Sequence, residues 1–362
     1  MGNFDPAFFA AKEWYILVPP ETPTEVPIAE KCAGDLSRCI GLLSVINGDS
    51  AAKPPKIAIA TNLDASEKCA LIILNSEDSG PERNGFEWRA GPERVEIFGE
   101  SKRGLCNGVY SFLAALGLSW PSPGQEKLPT KGFPPTSTAS SEPSHFEGEN
   151  PAAAPWRRFV PAGKSEIKKS LKNSENFAAW AARNRYDALI FPLWTFASGK
   201  TRHKLMRLKE LAGAYGITIE AGGHDLSSLV PRKHFVFHRD FFRMEDGKRK
   251  KEHHFCPTNP GAIALIGREA EKLFRAAGET KTFHLWPDKG SETAWCSCPT
   301  CRAFSVQELN RIAVNTAADV LAKISPGAFI SFPEKSGEGG EPPGNITLRK
   351  NTLIVESLPK GN

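Results

Sequence analysis

From about residue 156 onward, short strand-like runs alternate with stretches of helical periodicity at intervals of roughly thirty residues, the pattern of βαβ units on a parallel sheet. Six strand signals are read: Trp156 to Val160, Asp187 to Leu193, Ile217 to Ala221, Thr282 to Trp286, Ala328 to Phe332 and Thr352 to Glu356. Between them, Ile167, Leu171, Phe177, Trp180 and Ala181 share one helical face, and Leu205, Leu208, Leu211, Ala212 and Tyr215 another that Gly216 closes. Asn259-Pro260 opens a third helix running to about Ala277, because a capping side chain followed by Pro suits a first helical turn. Ser305 with Glu308 has the form of a capping box ahead of Val306, Leu309, Ile312, Ala313, Val320 and Ile324. The architecture expected is a (β/α)8 barrel, yet six strands are two short of closure. Three accounts stay open: another chain supplies two strands, the sheet stays open, or the chain is a shortened version of a longer protein.

The first 125 residues read as a separate, small α/β sandwich. Trp14 to Val18, Lys56 to Ala60 and Ala70 to Leu74 have buried-strand length, and Phe86 to Arg89 and Arg94 to Phe98 alternate as a hairpin around Ala90-Gly91-Pro92. Two helices are expected, one from Ile28 to Leu43 and one carrying Leu105, Val109, Phe112, Leu113 and Leu116 with Gly117 at its end. Cys32, Cys39 and Cys69 read as small core residues. Residues 126–155 turn to Pro, Ser, Thr, Gly and Glu and read as a linker, so the expected division is 1–125, 126–155 and 156–362.

Composition removes several classes of function. A net charge of +5 over 362 residues does not argue for nucleic acid, and the basic run Lys248 to Lys251 reads as a solvated loop. No apolar run is long enough to span a bilayer. The N-terminal stretch carries Asp5 and no basic start before an apolar segment, so it does not read as a signal peptide; Met1-Gly2 is followed by Pro6 rather than the Ser or Thr of a myristoylation site. A cytoplasmic location is expected.

Chemistry is concentrated in Phe283 to Phe304, where a strand ends in Pro287-Asp288 and a polar loop leads to Cys296, Cys298 and Cys301. In β/α architectures ligands bind at the carboxyl ends of strands, so Asp288 stands where function is built, although an Asp in a Pro-Asp-x-Gly turn also has a plain structural use. Cys256 adds a fourth thiol. A closed, all-cysteine zinc site of structural type and one or two disulfides both remain open; a reducing compartment favours zinc. No organic cofactor is expected.

Four segments together, 103–124 (RGLCNGVYSFLAALGLSWPSPG), 223–231 (GHDLSSLVP), 255–260 (FCPTNP) and WPDKG followed by CSCPTC, resemble bacterial glycoside-hydrolase-like proteins of a family usually labelled as a domain of unknown function. In that family an N-terminal domain similar to those of family 67 alpha-glucuronidases and family 20 hexosaminidases precedes a catalytic-type barrel. The resemblance implies a carbohydrate ligand and chemistry on glycosidic bonds. The chain departs from it by lacking the adjacent Asp-Glu pair that hexosaminidases place after the fourth strand. Glycoside hydrolysis ordinarily uses two carboxyl groups, so Asp288 is the lead candidate, with Glu292 or Glu220 as partner. His224, Asp225, Trp194 and Trp286, all near strand ends, are expected to contact a sugar. The rival reading is a non-catalytic or degenerate carbohydrate-binding barrel stapled by structural zinc.

Overall fold

The computed structural model describes residues 14–18, 28–47, 57–60, 70–76, 84–91, 94–129, 146–150, 157–289, 294–334 and 345–355. Cys69 and Glu292 lie outside them. The chain forms two compact units: 1–158 with 172–188 and 207–218, and 159–171 with 189–206 and 219–362.

The first unit holds a six-stranded mixed sheet. In chain order its elements are β1 (Trp14–Leu17), α1 (Ile28–Asn47), β2 (Ile57–Ala60), β3 (Ala70–Ser76), β4 (Phe86–Gly91), β5 (Arg94–Gly99), α2 (Lys102–Ala115) and β6 (Phe146–Asn150). The spatial order is β2-β1-β3-β5-β4-β6; β1, β2, β3 and β5 pair in parallel, and β4 pairs antiparallel with β5 and β6. Ala29, Cys32, Ala33, Leu36, Cys39 and Ile40 of α1 are buried, as the helical spacing predicts. β6 falls inside the stretch read as a linker. Its sequence, FEGEN, has none of the aliphatic alternation that marks a core strand, and it pairs along β4 in the register Arg89↔Glu147.

The motif RGLCNG has a physical reason in this unit. Ser101 caps α2 by accepting from Gly104 N (3.1 Å), and a side chain at Gly104 would run into the carbonyl oxygen of Gly85, so glycine lets the helix lie directly on the strand. In the same first turn, the buried Arg103 guanidinium donates to the carbonyls of Tyr215 (3.1 Å) and Tyr186 (2.7 Å) and stands 3.5 Å from Asp187. Asp187 also accepts from Asn107 Nδ2 (3.3 Å) and from the Arg157 backbone (2.8 Å). A buried carboxylate is tolerable only when paired and bonded in this way.

The second unit is built on a six-stranded sheet of β7 (Arg158–Phe159), β8 (Ala188–Phe191), β9 (Thr218–Gly223), β12 (Thr282–Leu285), β13 (Phe329–Pro333) and β14 (Thr352–Val355). Its spatial order, β7-β8-β9-β12-β13-β14, follows the chain, which is the singly wound progression of a barrel rather than the reversing order of a doubly wound sheet. The pairs β9/β12, β12/β13 and β13/β14 are parallel. All six strand signals are therefore strands, and the fold is mixed α/β with an incomplete barrel-type sheet and a smaller α/β part. A separate antiparallel hairpin, β10 (Met244–Glu245) and β11 (Lys248–Arg249), precedes β12.

The helices are α3 (Gly163–Lys172), α4 (Ser174–Arg183), α5 (Leu193–Ala197), α6 (Gly199–Gly213), α7 (Pro260–Ala277) and α8 (Val306–Ile324). The single helix expected after β7 is two, with Asn173 between them, and α5 is a short addition after β8. Asn259 caps α7 through Ala262 N with Pro260 in the first turn, and the Ser305/Glu308 capping box of α8 is complete. The basic run is part of the hairpin: Asp246 (φ 48) and Gly247 (φ 72) make its left-handed turn, a conformation that Asp-Gly adopts at low cost. Among the described residues no helix is long and apolar enough to cross a membrane.

Replacing Asp187 by Ala strands the Arg103 charge and two donors in the interior. Urea unfolding of that variant is expected to show a loss of about 3–5 kcal/mol.

Candidate functional site

The carboxyl ends of β9 and β12 run side by side. Beyond the paired residues Phe283↔Ala221, His284↔Gly222 and Leu285↔Gly223, Trp286 N donates to Gly223 O (2.9 Å) and Leu226 N to Trp286 O (3.1 Å). This approach needs glycine at 222, where φ is 117° and an added Cβ would meet the carbonyl oxygen of His284. The ladder thus carries two polar segments, His224-Asp225 and Pro287-Asp288, out of the sheet together.

His224 Nδ1 lies 2.7 Å from Pro287 O. A carbonyl only accepts, so Nδ1 carries the hydrogen and Nε2 of the neutral ring is the free acceptor. The ring meets the Trp286 indole edge-on at 5.4 Å.

Among the described residues, Asp225 and Asp288 are the carboxylates carried out of the sheet here. Asp225 Oδ2 accepts from Leu193 N (2.9 Å), the first residue of α5. Burial raises its pKa to about 7; the Leu193 bond, the Ser228 hydroxyl and the Lys164 charge oppose the rise, and the charge of Asp288 adds to it. Asp288 is more open, with its side chain 24% exposed; it accepts from Ser227 N (3.3 Å) and faces Arg232 Nη2 at 3.7 Å. Burial lowers the Arg232 pKa, and Asp288 opposes that shift.

Glu220 and Trp286 belong to a layer beneath the rim. Glu220 Oε2 bonds His284 Nε2 (2.9 Å), His284 Nδ1 bonds Ser331 Oγ (2.5 Å), and Trp286 Nε1 donates to the same Ser331 Oγ (3.2 Å). With Glu220 ionised, every hydrogen has a place: indole to hydroxyl, hydroxyl to Nδ1, and Nε2–H to carboxylate. All four side chains are buried, and Trp286 at 1% exposure has no face left for a pyranose. The expected stacking platform is therefore a packing residue. Trp194, in α5, keeps a partly exposed ring. Sequence reasoning did not find His284, Ser331 or Arg232. The first was within reach, because the period of two along β12 puts His284 and Trp286 on one face.

The structure also brings four thiols together. Cys256, Cys296, Cys298 and Cys301 are buried, and their sulfurs all lie within 4.8 Å of one another. Cys256 Sγ is 3.7 Å from the sulfurs of both Cys298 and Cys301. Four sulfurs about 2.3 Å from one centre in a tetrahedron stand about 3.8 Å apart, whereas bonded sulfurs stand about 2.05 Å apart. The cluster has the spacing of a metal site rather than of disulfides, and all four cysteines are free. Hydrogen bonds from Cys296 and then Cys301 pull the Cys256 thiol down, and the bond with Cys256 pushes Cys296 and Cys301 up. The surroundings support negative sulfur: Met244 N donates to Cys296 Sγ (3.2 Å), Arg249 Nη1 stands 3.7 Å from it, and Thr258 Oγ1 is 3.0 Å from Cys301 Sγ. Trp295 stacks on His254 at 4.4 Å beside them.

No protein-family model matches the chain, and no curated protein matches it. Among solved structures it is similar to a GH20 exo-β-N-acetylglucosaminidase from Vibrio harveyi in complex with N-acetylglucosamine, at 14% identity and TM-score 0.49, over 95% of this chain and 54% of that one. It is also similar to a β-N-acetylhexosaminidase from Bacteroides fragilis NCTC 9343 (14% identity, TM-score 0.45, 95% of this chain and 65% of that one). A GH20 β-N-acetylhexosaminidase from Streptomyces coelicolor A3(2) gives 11% identity and TM-score 0.48 over 95% of this chain and 65% of that one. The chain thus spans less than two thirds of the length of each.

Asp225 makes stability depend on pH. Between about pH 4 and about pH 7 the folded chain holds a proton there that the unfolded chain has released, so this group's contribution falls by about 1.4 kcal/mol per unit as pH rises, and is lost above about 7. Unfolding curves of Asp225→Asn are expected to lack that slope. Carboxyl carbon NMR of Asp288→Asn should show Asp225 titrating lower than in the unsubstituted chain.

Proposed function

We propose that this chain is a glycoside-hydrolase-like protein acting on a carbohydrate through carboxylate acid/base chemistry at the ends of β9 and β12. The observation that carries the reading is the unequal pair there: Asp225, pushed up to about 7, and the more open Asp288 beside an arginine. Two carboxyl groups in unlike surroundings are suited to separate tasks, one donating a proton to a leaving oxygen and the other acting as base or nucleophile. In this reading Asp225 is the acid, Asp288 the base or nucleophile, and His224 Nε2 a hydrogen-bonding partner for a sugar hydroxyl. Trp194 offers an apolar contact, and Glu292, four residues past Asp288, is the further carboxylate to test. The sugar reading itself comes from the resemblance of the sequence motifs.

The four-cysteine centre fits zinc in a structural role, since four thiolates close a tetrahedron and leave no position for water. The residues that would hold it are Cys256, Cys296, Cys298 and Cys301.

One observation favours the second reading, a carbohydrate-binding barrel without turnover: Asp225 and Asp288 each accept a backbone N–H, from Leu193 and Ser227, and so already have structural work.

A panel of aryl glycosides separates the two. The expected outcome is turnover with a basic limb near about 7, falling about 10²-fold or more in Asp288→Asn with folding intact. Sugar binding without turnover, unchanged by that substitution, supports the second reading. For the metal, purified reduced protein is expected to carry one zinc per chain by elemental analysis, with the four thiols unreactive until a chelator is added; fully titrating thiols and no zinc would remove it.

A further inference from the structure

The strand-end rim and the four-cysteine centre meet in one side chain. Arg232 opens a 3-10 turn, Arg232–Val236, and its Nη2 faces Asp288 Oδ2 at 3.7 Å. The same nitrogen donates to the carbonyl of His253, and the guanidinium lies over the Phe242 ring at 5.9 Å. Both supports lie on segments hydrogen-bonded to the cysteine-bearing backbone. His253 stands three residues before Cys256, and Cys256 N donates to Phe241 O (2.8 Å). Phe242 and Phe255 form an antiparallel bridge, and Phe242 O accepts from Arg249 Nη1 (2.7 Å), the group that also approaches Cys296. Ser297 closes the circuit through its N and Oγ to Met244 O (2.9 and 2.8 Å).

His253 itself has φ 62, a left-handed conformation uncommon in a residue with a Cβ, though histidine enters it more readily than most. The constraint closest in sequence is the thiol at 256.

We propose that Arg232 is a positioning residue that couples the state of the four-cysteine centre to Asp288: metal on the thiols holds His253 and Phe242, these hold the guanidinium, and the guanidinium fixes the carboxylate against Ser227 N. The coupling rests on Asp288 being part of the functional site, as read above, and makes metal loading a condition for that site to be ordered.

Hydrogen exchange read by mass spectrometry tests it on the whole chain, without any need for turnover. Three samples are compared: zinc-loaded protein, the same protein stripped by a chelator under reducing conditions, and zinc-loaded Arg232→Gln. Stripping is expected to speed exchange at Ser227 and around His253 by about tenfold or more, with the amides of β9 and β12 unchanged. Arg232→Gln should speed Ser227 alike while its zinc content stays that of the unsubstituted protein, and Arg232→Lys, with the charge but not the fork, should fall between. Ser227 exchange unaltered in Arg232→Gln overturns the proposal, as does stripping that leaves Ser227 unchanged. If stripping opens β9 and β12 as well, the zinc-loaded Arg232→Gln sample decides alone. A chain inactive on every glycoside can still show the coupling, and an active one can lack it, so the two readings fail separately.

Discussion

The close approach of β9 and β12 at their carboxyl ends is the constraint on which the rim depends. Backbone bonds continue past both strands, from Trp286 to Gly223 and from Leu226 to Trp286, and only a residue without a side chain fits at 222. That contact delivers Asp225 and Asp288 together and gives Asp288 the Ser227 amide, while the start of α5 supplies the Leu193 amide to Asp225. It also stacks the rim on a polar interior, where Glu220, His284, Ser331 and Trp286 satisfy one another. A fully bonded buried network of this kind fixes one arrangement, because any shift leaves a polar group without a partner in low dielectric.

The long excursion between β9 and β12 is organised differently. Up to the start of α7 it has little regular structure beyond a two-residue-per-strand hairpin and short 3-10 turns, although Leu226, Leu229, Val230, Phe242 and Phe255 are fully buried in it. Four thiols collected from either side of α7 and β12 supply cross-links between parts distant in sequence. Charged and aromatic neighbours then serve double duty: Arg249 is at once a hairpin residue and a partner to sulfur.

The regular part of this architecture was legible because periodicity and caps are local. All six strands of the second sheet, the Asn259-Pro260 start and the Ser305/Glu308 box are written in neighbouring residues. What escaped was set by tertiary context. β6 is a strand by pairing with β4 rather than by its own residues, and Asn173 divides a helix whose apolar spacing runs across the break. The hairpin signal Asp246-Gly247 was present but masked by the basic run around it.

At the site, sequence could rank residue types but not depth. Trp286 and Glu220 look the same in a string whether they line a rim or fill an interior, and the structure puts both in the interior. Arg232 carried no signal at all, since a lone arginine in a loop is ordinarily solvated. The cysteines were the opposite case: their spacing already implied a cluster, and the fold brings Cys256 to the other three.

Trp295 sits next to Cys296 and stacks flat on the buried His254. An indole in that position is an optical gauge built into the thiol centre. Its emission colour follows how dry its surroundings are, so a chain that keeps only this one of its eight indoles would report by light whether the segment around the sulfurs opens.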